Sequence, residues 1–541
     1  MVKRVFKTIV DILLSPFTKH FHFFIVFFLL ATSCHVRGIF SMDNLHPAIA
    51  TTMHGLNLSY IATLLVSLIR PRIAQQIVQT ILIVFAATDF ALNYYCVSQF
   101  NYLFDVDLAH LILDTDPGEA TEFLTTMVPL RVVLAIVGAF LILTLFWWYS
   151  KRRNWNLNLG RKMAILAFVV TCFCVAGNLF LWNVWKWGPL APIYQLPSYN
   201  MPSDLKSYYS HPQFTYEEEY KRPINVVLII GESITRSHSS LYGYEKETNP
   251  ELTKLKNTSM LFAFDSINSP AISTAKSMKD MLSLFNNSDT ILEKKWYEYP
   301  TLIEIMKVCG YQCYWFGNQS CASTHNAITR LYAQDCDHRW LLQQEGLEDI
   351  GERRQDIILV DSSYQYVNKF KQLNHNFVIY HMLGSHFDYS KRYPKAFAKF
   401  SPDDYLNEPE SHREILSSYD NSILYNDYVV KRIIDLFKDS ESVIIYLPDH
   451  GQVMYRNKIH PDHYAHGVPI DPYNHYYGID IPFFVYTSPL FQQHYPETIE
   501  RIKNRQDNPK SWNSEDLPFL IMDLIGVKQI NGENVRPRSI I

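Results

Sequence analysis

The stretch NVVLIIGESITRSHSSLYGY, residues 225–244, decides the fold of this chain. Its apolar run, residues 226–230, is rich in β-branched residues, stops at Gly231 and is followed at once by an acid, Glu232. A short apolar run bounded by glycine is typical of a strand that is buried on both faces. Open α/β sheets bind their ligands just beyond the carboxyl ends of such strands. Glu232 is therefore a candidate ligand-binding acid, and a solvated loop acid is the alternative on this stretch alone.

The two parts of the chain differ in composition, and 541 residues are too many for one ordinary core. The first part contains five apolar stretches that are long enough to cross a bilayer, which needs about 20 helical residues. These stretches are residues 20–37, 49–68, 73–95, 128–149 and 163–182. The sequence predicts three segments, which are an N-terminal transmembrane domain of five helices (1–187), a bridging segment (188–222) and a soluble domain (223–541).

The predicted orientation follows from lysine and arginine, which are enriched in cytoplasmic loops. These residues precede the first stretch and separate the second from the third and the fourth from the fifth, whereas the loop between the third and fourth carries six acids and no lysine or arginine. Five spans then place the N-terminus in the cytoplasm and the soluble domain outside it. The charges of the 49 basic and 53 acidic residues nearly cancel. A nucleic-acid partner is not expected, because a protein that binds nucleic acid would show a clustered excess of basic residues.

Four of the eight cysteines lie in the predicted soluble domain, where disulfides can persist outside the cytoplasm. They are Cys309, Cys313, Cys321 and Cys336. Four cysteines permit three pairings, which the sequence leaves open. We favour Cys321 with Cys336, because both flank a polar loop.

Strand-like runs alternate with helical patterns in the soluble domain, as in residues 313–316, 377–383, 443–447 and 483–486 and the helical stretch 419–437. This alternation predicts an α/β domain with a mostly parallel sheet that helices cover on both faces. Separate surface acids would not be expected to collect at equivalent strand ends. The pattern therefore predicts a metal site, and the residues that follow three of the runs are Glu232, His386, Asp449 and His450.

The segment SPAISTAKSMKDMLSLF, residues 269–285, supplies a further candidate. Its helical spacing places Thr274 in the first turn of a helix, where a threonine is usually a cap. The functional interpretation is a nucleophile, because a zinc ion and the positive end of a helix dipole both favour the alkoxide. Two carboxylates, one imidazole and one alkoxide suit zinc in number and type.

Four histidines follow in residues 457–478. We interpret His460, His463 and His475 as residues of a solvated loop. His466 differs, because the glycine, valine and proline after it are typical of a tight turn. It is a candidate to pair with His386 and hold phosphate oxygens or a second metal.

The ordered set GES, ETNP, STAKS, GSH, PDHG and HG, behind five apolar stretches, resembles the membrane-bound phosphoethanolamine transferases of Gram-negative bacteria, within the alkaline phosphatase and sulfatase superfamily. The resemblance covers nearly the whole chain. It implies that Thr274 becomes phosphoethanolaminylated and that His386 and His466 have substrate or second-zinc roles. It also implies one tight zinc site with four ligands, which are Glu232, Thr274, Asp449 and His450.

The resemblance further implies a role for LDTDPGEATEFL, residues 113–124, which is similar to the segment that contacts the donor headgroup in this family. Thr115 and Glu119 become candidate donor contacts, since a carboxylate suits the ammonium of the headgroup. An ordinary amphipathic surface helix is the alternative.

The activity implied is transfer of phosphoethanolamine from phosphatidylethanolamine to lipopolysaccharide, in lipid A or the core, by a monomer in the bacterial inner membrane with a periplasmic catalytic domain. One departure puts lipid A as the acceptor in question, because residues 269–283 lack the cysteines of colistin-resistance members. In a second departure, Leu111 stands where such enzymes place an asparagine that contacts the headgroup. A phosphoglycerol transferase similar to lipoteichoic acid synthases, or an inactive membrane scaffold, are the rival functions. Sulfate ester hydrolysis is not expected, because Thr274 lacks the x-Pro-x-Arg continuation of formylglycine sulfatases.

Overall fold

A computed structural model describes sixteen parts of the chain, and its residues fall into two compact units, a helical N-terminal unit and an α/β C-terminal unit. The described residues are 2–41, 45–100, 103–104, 109, 112, 124, 128–155, 162, 165–173, 202–216, 224–285, 295–319, 327–341, 355–372, 375–455 and 472–541.

The N-terminal unit is entirely helical over its described elements. Its helices are α1 (Val2–Leu13), α2 (Phe21–Ser41), α3 (Leu45–Leu68), α4 (Arg72–Phe100) and α5 (Leu130–Arg152), and residues 165–173 are also helical. Four of the predicted apolar stretches therefore fall largely within helices. Among the described residues, two helical stretches are long and apolar enough to cross a membrane, Arg72–Gln99 and Leu130–Arg152. The count of five spans stays a prediction.

The core of the helical unit is built on a stripe of α2 with helical spacing. Phe23, Phe27, Leu30 and Cys34 are buried there and pack with apolar residues of α3 and α4. Their spacing of three to four residues places them on one face of the helix. A buried hydrogen bond also joins α2 and α4, because His35 Nε2 lies 2.8 Å from Asp89 Oδ2.

The C-terminal unit combines strands and helices. Its strands are β1 (Phe214–Tyr216), β2 (Asn225–Gly231), β3 (Leu261–Phe264), β4 (Ile267–Asn268), β5 (Gln312–Gly317), β6 (His338–Leu341), β7 (Asn376–His381), β8 (Ser442–Pro448), β9 (Phe483–Thr487), β10 (Trp512–Asn513), β11 (Val527–Ile530) and β12 (Glu533–Asn534). Its helices are α6 (Pro250–Asn257), α7 (Thr274–Met281), α8 (Leu302–Val308), α9 (Ala327–Asp335), α10 (Ile357–Ser363), α11 (Val367–Gln372), α12 (Glu410–Phe437), α13 (Pro472–Ile479), α14 (Pro489–His494), α15 (Pro496–Asp507) and α16 (Leu517–Leu524).

Seven strands form the main sheet, in the order β3, β9, β8, β2, β7, β5, β6. Strand β2 lies at its centre and pairs in parallel with β7 on one side and β8 on the other. Strand β9 is antiparallel to both of its neighbours, β3 and β8. The prediction of a mostly parallel sheet is confirmed, and the five predicted strands are β2, β5, β7, β8 and β9. The sequence did not indicate β3, β6 or the reversed direction of β9.

Both faces of the sheet are covered, which explains the unbroken apolar run of β2. All seven of its residues are buried. Val226, Leu228 and Ile230 belong to a core that includes side chains of α7, α8 and α16, whereas Val227 and Ile229 belong to a core that includes α12. Each such side chain stabilises the fold by roughly 1.5–3 kcal/mol through burial. The two cores fix the position of the strand end, where Glu232 follows.

Candidate active site

Two parallel strands deliver two acids to one place. Gly231, the last residue of β2, lies opposite Pro448, the last residue of β8, and Asp449 donates its backbone N–H to Gly231 O at 3.1 Å. The next residue along each strand is acidic, Glu232 in one case and Asp449 in the other. Since parallel strands end at the same edge of a sheet, their register brings the two carboxylates together.

Glu232, Asp449 and His450 form a fully buried cluster in which the three ligand atoms lie within 4.8 Å of one another. His450 Nε2 is 3.4 Å from Glu232 Oε1 and 3.5 Å from Asp449 Oδ2. The other ring nitrogen, Nδ1, lies 2.7 Å from Gly451 O, and a carbonyl only accepts, so Nδ1 carries the proton. In the neutral ring Nε2 is then an acceptor that faces two other acceptors. This arrangement is typical of metal ligands, whose second ring nitrogen donates to a carbonyl.

Asp449 has one oxygen with hydrogen bonds and one without. Oδ1 accepts the backbone N–H of His450 at 2.8 Å and that of Ser233 at 3.3 Å. Oδ2 is buried and receives no hydrogen bond from the residues that the structure describes. A buried carboxylate oxygen of this kind costs free energy unless a cation or a donor satisfies it. It is aimed at His450, where a cation would complete its coordination.

Glu232 accepts hydrogen bonds at both oxygens. Ser233 Oγ donates to Oε1 at 2.7 Å, Gln319 Nε2 donates to Oε2 at 2.7 Å, and Thr274 Oγ1 donates to Oε2 at 3.3 Å. Burial raises the pKa of Glu232 well above its usual value, and the negative charge of Asp449 raises this pKa further. A bound divalent cation would oppose both effects, since it favours the ionised carboxylate.

Thr274 is the first residue of α7, as predicted, and the residue at the cap position is Ser273. The Thr274 hydroxyl donates a hydrogen bond to Glu232, which is not the contact of a helix cap. The structure thus brings Thr274, Glu232, Asp449 and His450 together. Two carboxylates, an imidazole and a hydroxyl match zinc in number and ligand type, so these residues fit the metal that the sequence predicts.

Of the other predicted site residues, the structure describes His386 alone. His386 is buried on the loop after β7 and is not a member of the three-residue cluster. His466, Thr115 and Glu119 lie outside the described residues. Their roles stay predictions.

Two residues that the sequence analysis missed support Glu232. Gln319 follows β5 and hydrogen-bonds Glu232; its position after a strand is the signal that the sequence offers, and that signal does not reveal the contact. Gly384 adopts φ +49°, and a Cβ atom there would lie 2.7 Å from Glu232 N. Ser385 then donates its N–H to Glu232 O at 2.9 Å. The glycine of GSH is thus required by the close approach of its loop to Glu232.

Three cysteines of this unit are free thiols in the structure. Cys313 and Cys336 are buried, and Cys309 is partly exposed. Cys321 lies outside the described residues, so its pairing with Cys336 stays a prediction.

Comparisons with known proteins agree with this fold. A family model described as Sulfatase matches residues 224–527, more than half of the chain, and the chain therefore belongs to the sulfatase family. A second model, described as Phosphoethanolamine transferase EptA/EptB, matches residues 58–185 in the helical unit. This second match agrees with the resemblance of the motifs to the membrane-bound phosphoethanolamine transferases.

Individual relatives extend these matches. Phosphoethanolamine transferase EptC of Escherichia coli (strain K12) is 27% identical over 82% of this chain and 79% of its own length. The C-terminal periplasmic domain of E. coli EptC in complex with Zn is similar at 27% identity with a TM-score of 0.53, covering 61% of this chain and 89% of that one. The integral membrane protein EptA of Neisseria meningitidis shares the fold at 19% identity and a TM-score of 0.68, covering 97% of this chain and 98% of that one.

Proposed function

We propose that this chain transfers phosphoethanolamine from phosphatidylethanolamine to lipopolysaccharide, in lipid A or the core, through a covalent ester on Thr274. The observation that carries the proposal is the hydroxyl of Thr274, which hydrogen-bonds Glu232 within a buried cluster of metal-ligand type. The E. coli relative, named a phosphoethanolamine transferase, supports the group transferred. The acceptor rests on the family resemblance.

The metal centre is proposed to hold zinc through Glu232, Thr274, Asp449 and His450. The Zn complex of the E. coli EptC domain supports this choice of metal. When bound, zinc would lower the pKa of a hydroxyl and neutralise charge on phosphoryl oxygens. It would also supply the positive charge that two buried carboxylates need.

In the first half-reaction, Thr274 Oγ1 forms a bond to the phosphorus of the donor, and the bond from phosphorus to the diacylglycerol oxygen breaks. The hydroxyl proton of Thr274 is lost, and the diacylglycerol oxygen gains a proton. Glu232 Oε2 accepts the hydrogen bond of the hydroxyl at 3.3 Å and so holds Oγ1 in one orientation for attack. The protein chiefly positions the groups, as phosphoryl transfer requires.

In the second half-reaction, a hydroxyl or phosphate oxygen of the acceptor attacks the same phosphorus and the bond to Oγ1 breaks. Thr274 regains a proton, and the product carries phosphoethanolamine. His386 and His466 are proposed to hold phosphate oxygens or a second zinc, and Thr115 and Glu119 to contact the donor headgroup. Anchoring in the inner membrane, with the catalytic domain in the periplasm, would place the enzyme beside a lipid donor.

The test is the mass of Thr274 after incubation with donor alone. The purified full-length protein, given phosphatidylethanolamine and no acceptor, should carry an adduct of phosphoethanolamine mass on the peptide that contains Thr274. Thr274→Ala should carry none and should not transfer. A parallel incubation with phosphatidylglycerol tests the alternative function, because a phosphoglycerol transferase would form its adduct from that donor instead. An unmodified Thr274 peptide under conditions that support turnover would refute the covalent step.

A further inference from the structure

A buried amide contacts the candidate metal ligand Glu232 at Oε2, whereas His450 lies near Oε1. Gln319 is only 8% exposed, and its Nε2 donates to Glu232 Oε2 at 2.7 Å and to Met382 O at 3.0 Å. The two acceptors follow neighbouring strands, β2 and β7. One amide group is therefore held by two elements of the site at once.

The segment that carries Gln319 is itself fixed. Asn318 donates its backbone N–H to His381 O at 3.0 Å and its Nδ2 to Asp356 Oδ1 at 2.8 Å. The same carboxylate accepts the backbone N–H of Leu383 and that of Gly384, each at 2.8 Å. Asp356 thus ties the turn after β5 to the loop after β7. Because Asn318 and the loop after β7 are both anchored, Gln319 is a rigid support rather than a mobile surface side chain.

The two carboxylate oxygens of Glu232 have different hydrogen-bond partners. Oε1 accepts from Ser233 and lies 3.4 Å from His450 Nε2, whereas Oε2 accepts from Gln319 and Thr274. A carboxylate can rotate about its last single bond, and that torsion is broad in the absence of contacts. The Gln319 amide restricts the rotation, because turning the group would break a 2.7 Å bond in a buried site.

We propose that Gln319 is a positioning residue, whose amide holds Glu232 so that Oε1 faces His450 and Oε2 faces the Thr274 hydroxyl. It would thereby raise the affinity for the cation and align the nucleophile with the metal centre. This inference rests on the proposed function. Removing a hydrogen-bond partner of a metal ligand typically lowers metal affinity or activity about 10- to 100-fold.

The experiment compares Gln319→Met with wild type in the full-length protein, because methionine keeps the length of the side chain and removes the donor. Zinc affinity is measured without donor lipid, by competition with a chromogenic chelator. Turnover is then measured at saturating zinc over a range of phosphatidylethanolamine concentrations. We expect zinc affinity to fall about 10- to 100-fold and kcat to fall, with KM for the donor within about twofold of wild type.

Gln312→Met is the matched control. It is the same substitution at the start of β5, the strand that precedes Gln319, and there the side chain is exposed and its Oε1 accepts from Tyr314. It should leave zinc affinity and kcat unchanged. An unchanged zinc affinity in Gln319→Met would overturn the inference, and a lower unfolding temperature with unchanged zinc affinity would show that the amide supports the fold alone.

The same measurements separate this inference from the proposed function. Wild-type protein that binds zinc and forms the Thr274 adduct, together with a Gln319→Met variant of equal affinity, would overturn the positioning role alone. Wild-type protein that binds no zinc would overturn both.

Discussion

Gly384→Ala is the substitution whose effect on the site can be worked out most fully from the structure. The residue has φ +49°, and an added Cβ would lie 2.7 Å from Glu232 N and 2.8 Å from Glu232 O. Ordinary van der Waals contacts begin at 3.4 Å, so the Glu232 backbone would have to move by about 0.7 Å relative to the loop. Functional groups of a site must be held within about 0.5 Å of their productive geometry. The substitution therefore displaces a metal ligand beyond that tolerance.

The expected loss of activity follows from this displacement. A misplacement of about 1 Å costs roughly 100-fold in rate, so we expect kcat/KM of Gly384→Ala to fall about 10- to 100-fold. Left-handed strain of about 1–2 kcal/mol and overpacking of about 1–3 kcal/mol should lower the free energy of unfolding by about 2–5 kcal/mol. Transfer assays, zinc affinity and thermal unfolding of the full-length protein measure these quantities.

Gly310→Ala is the control, because Gly310 has φ +85° and no atom within 4 Å of its added Cβ. It should show the backbone strain alone, with a modest loss of stability and unchanged zinc affinity. Gly384→Ala with wild-type kcat/KM and wild-type zinc affinity would refute the reasoning that close packing against Gly384 fixes Glu232.

Two further predictions concern the metal and the support of α6. Removal of zinc with a chelator should abolish transfer until zinc is restored. Because the pKa of Glu232 is raised in the metal-free fold, the folded state binds more protons than the unfolded state, and metal-free protein should lose stability as pH rises above about 4.3. Zinc-loaded protein should lack this pH-dependent contribution, and equal pH profiles of stability for the two forms would contradict the prediction. Asp427→Ala should lower the free energy of unfolding by about 1–3 kcal/mol and leave zinc affinity unchanged. The reason is that Asp427 of α12 accepts the backbone N–H groups of Glu251 and Leu252, at 2.9 and 3.0 Å, in the first turn of α6. Denaturant titration measures the stability and chelator competition the zinc affinity, and a stability equal to wild type would count against the capping role.

The central strand and three of the clustered side chains were predictable because each depends on a local pattern. The run 226–230 is apolar at every position, as a strand covered on both faces requires, and Glu232 follows it directly. Asp449 and His450 follow β8 in the same way. The parallel direction of β2 and β8 then brings these residues together without any further information.

The supports of the site were not predictable in the same way, because they depend on tertiary contacts. Gln319 is a polar residue in a polar loop, and its role is visible only when Glu232 and Met382 lie beside it. The need for glycine at position 384 arises from a neighbour 152 positions earlier in the chain, Glu232. The direction of β9 is likewise set by its partners, since a short apolar run looks the same in either direction.

The position of β2 between β7 and β8 has a consequence for biosynthesis. Ile230 pairs with His381 and Leu447, residues that the ribosome adds about 150 and 217 positions later. Until then this apolar strand of the nascent domain has two open edges, and pairings of such long range make folding slow and exposed to aggregation. The proposed ligand set is complete only when β8 has docked, so metal uptake would be a late event that distinguishes finished molecules from partly folded ones.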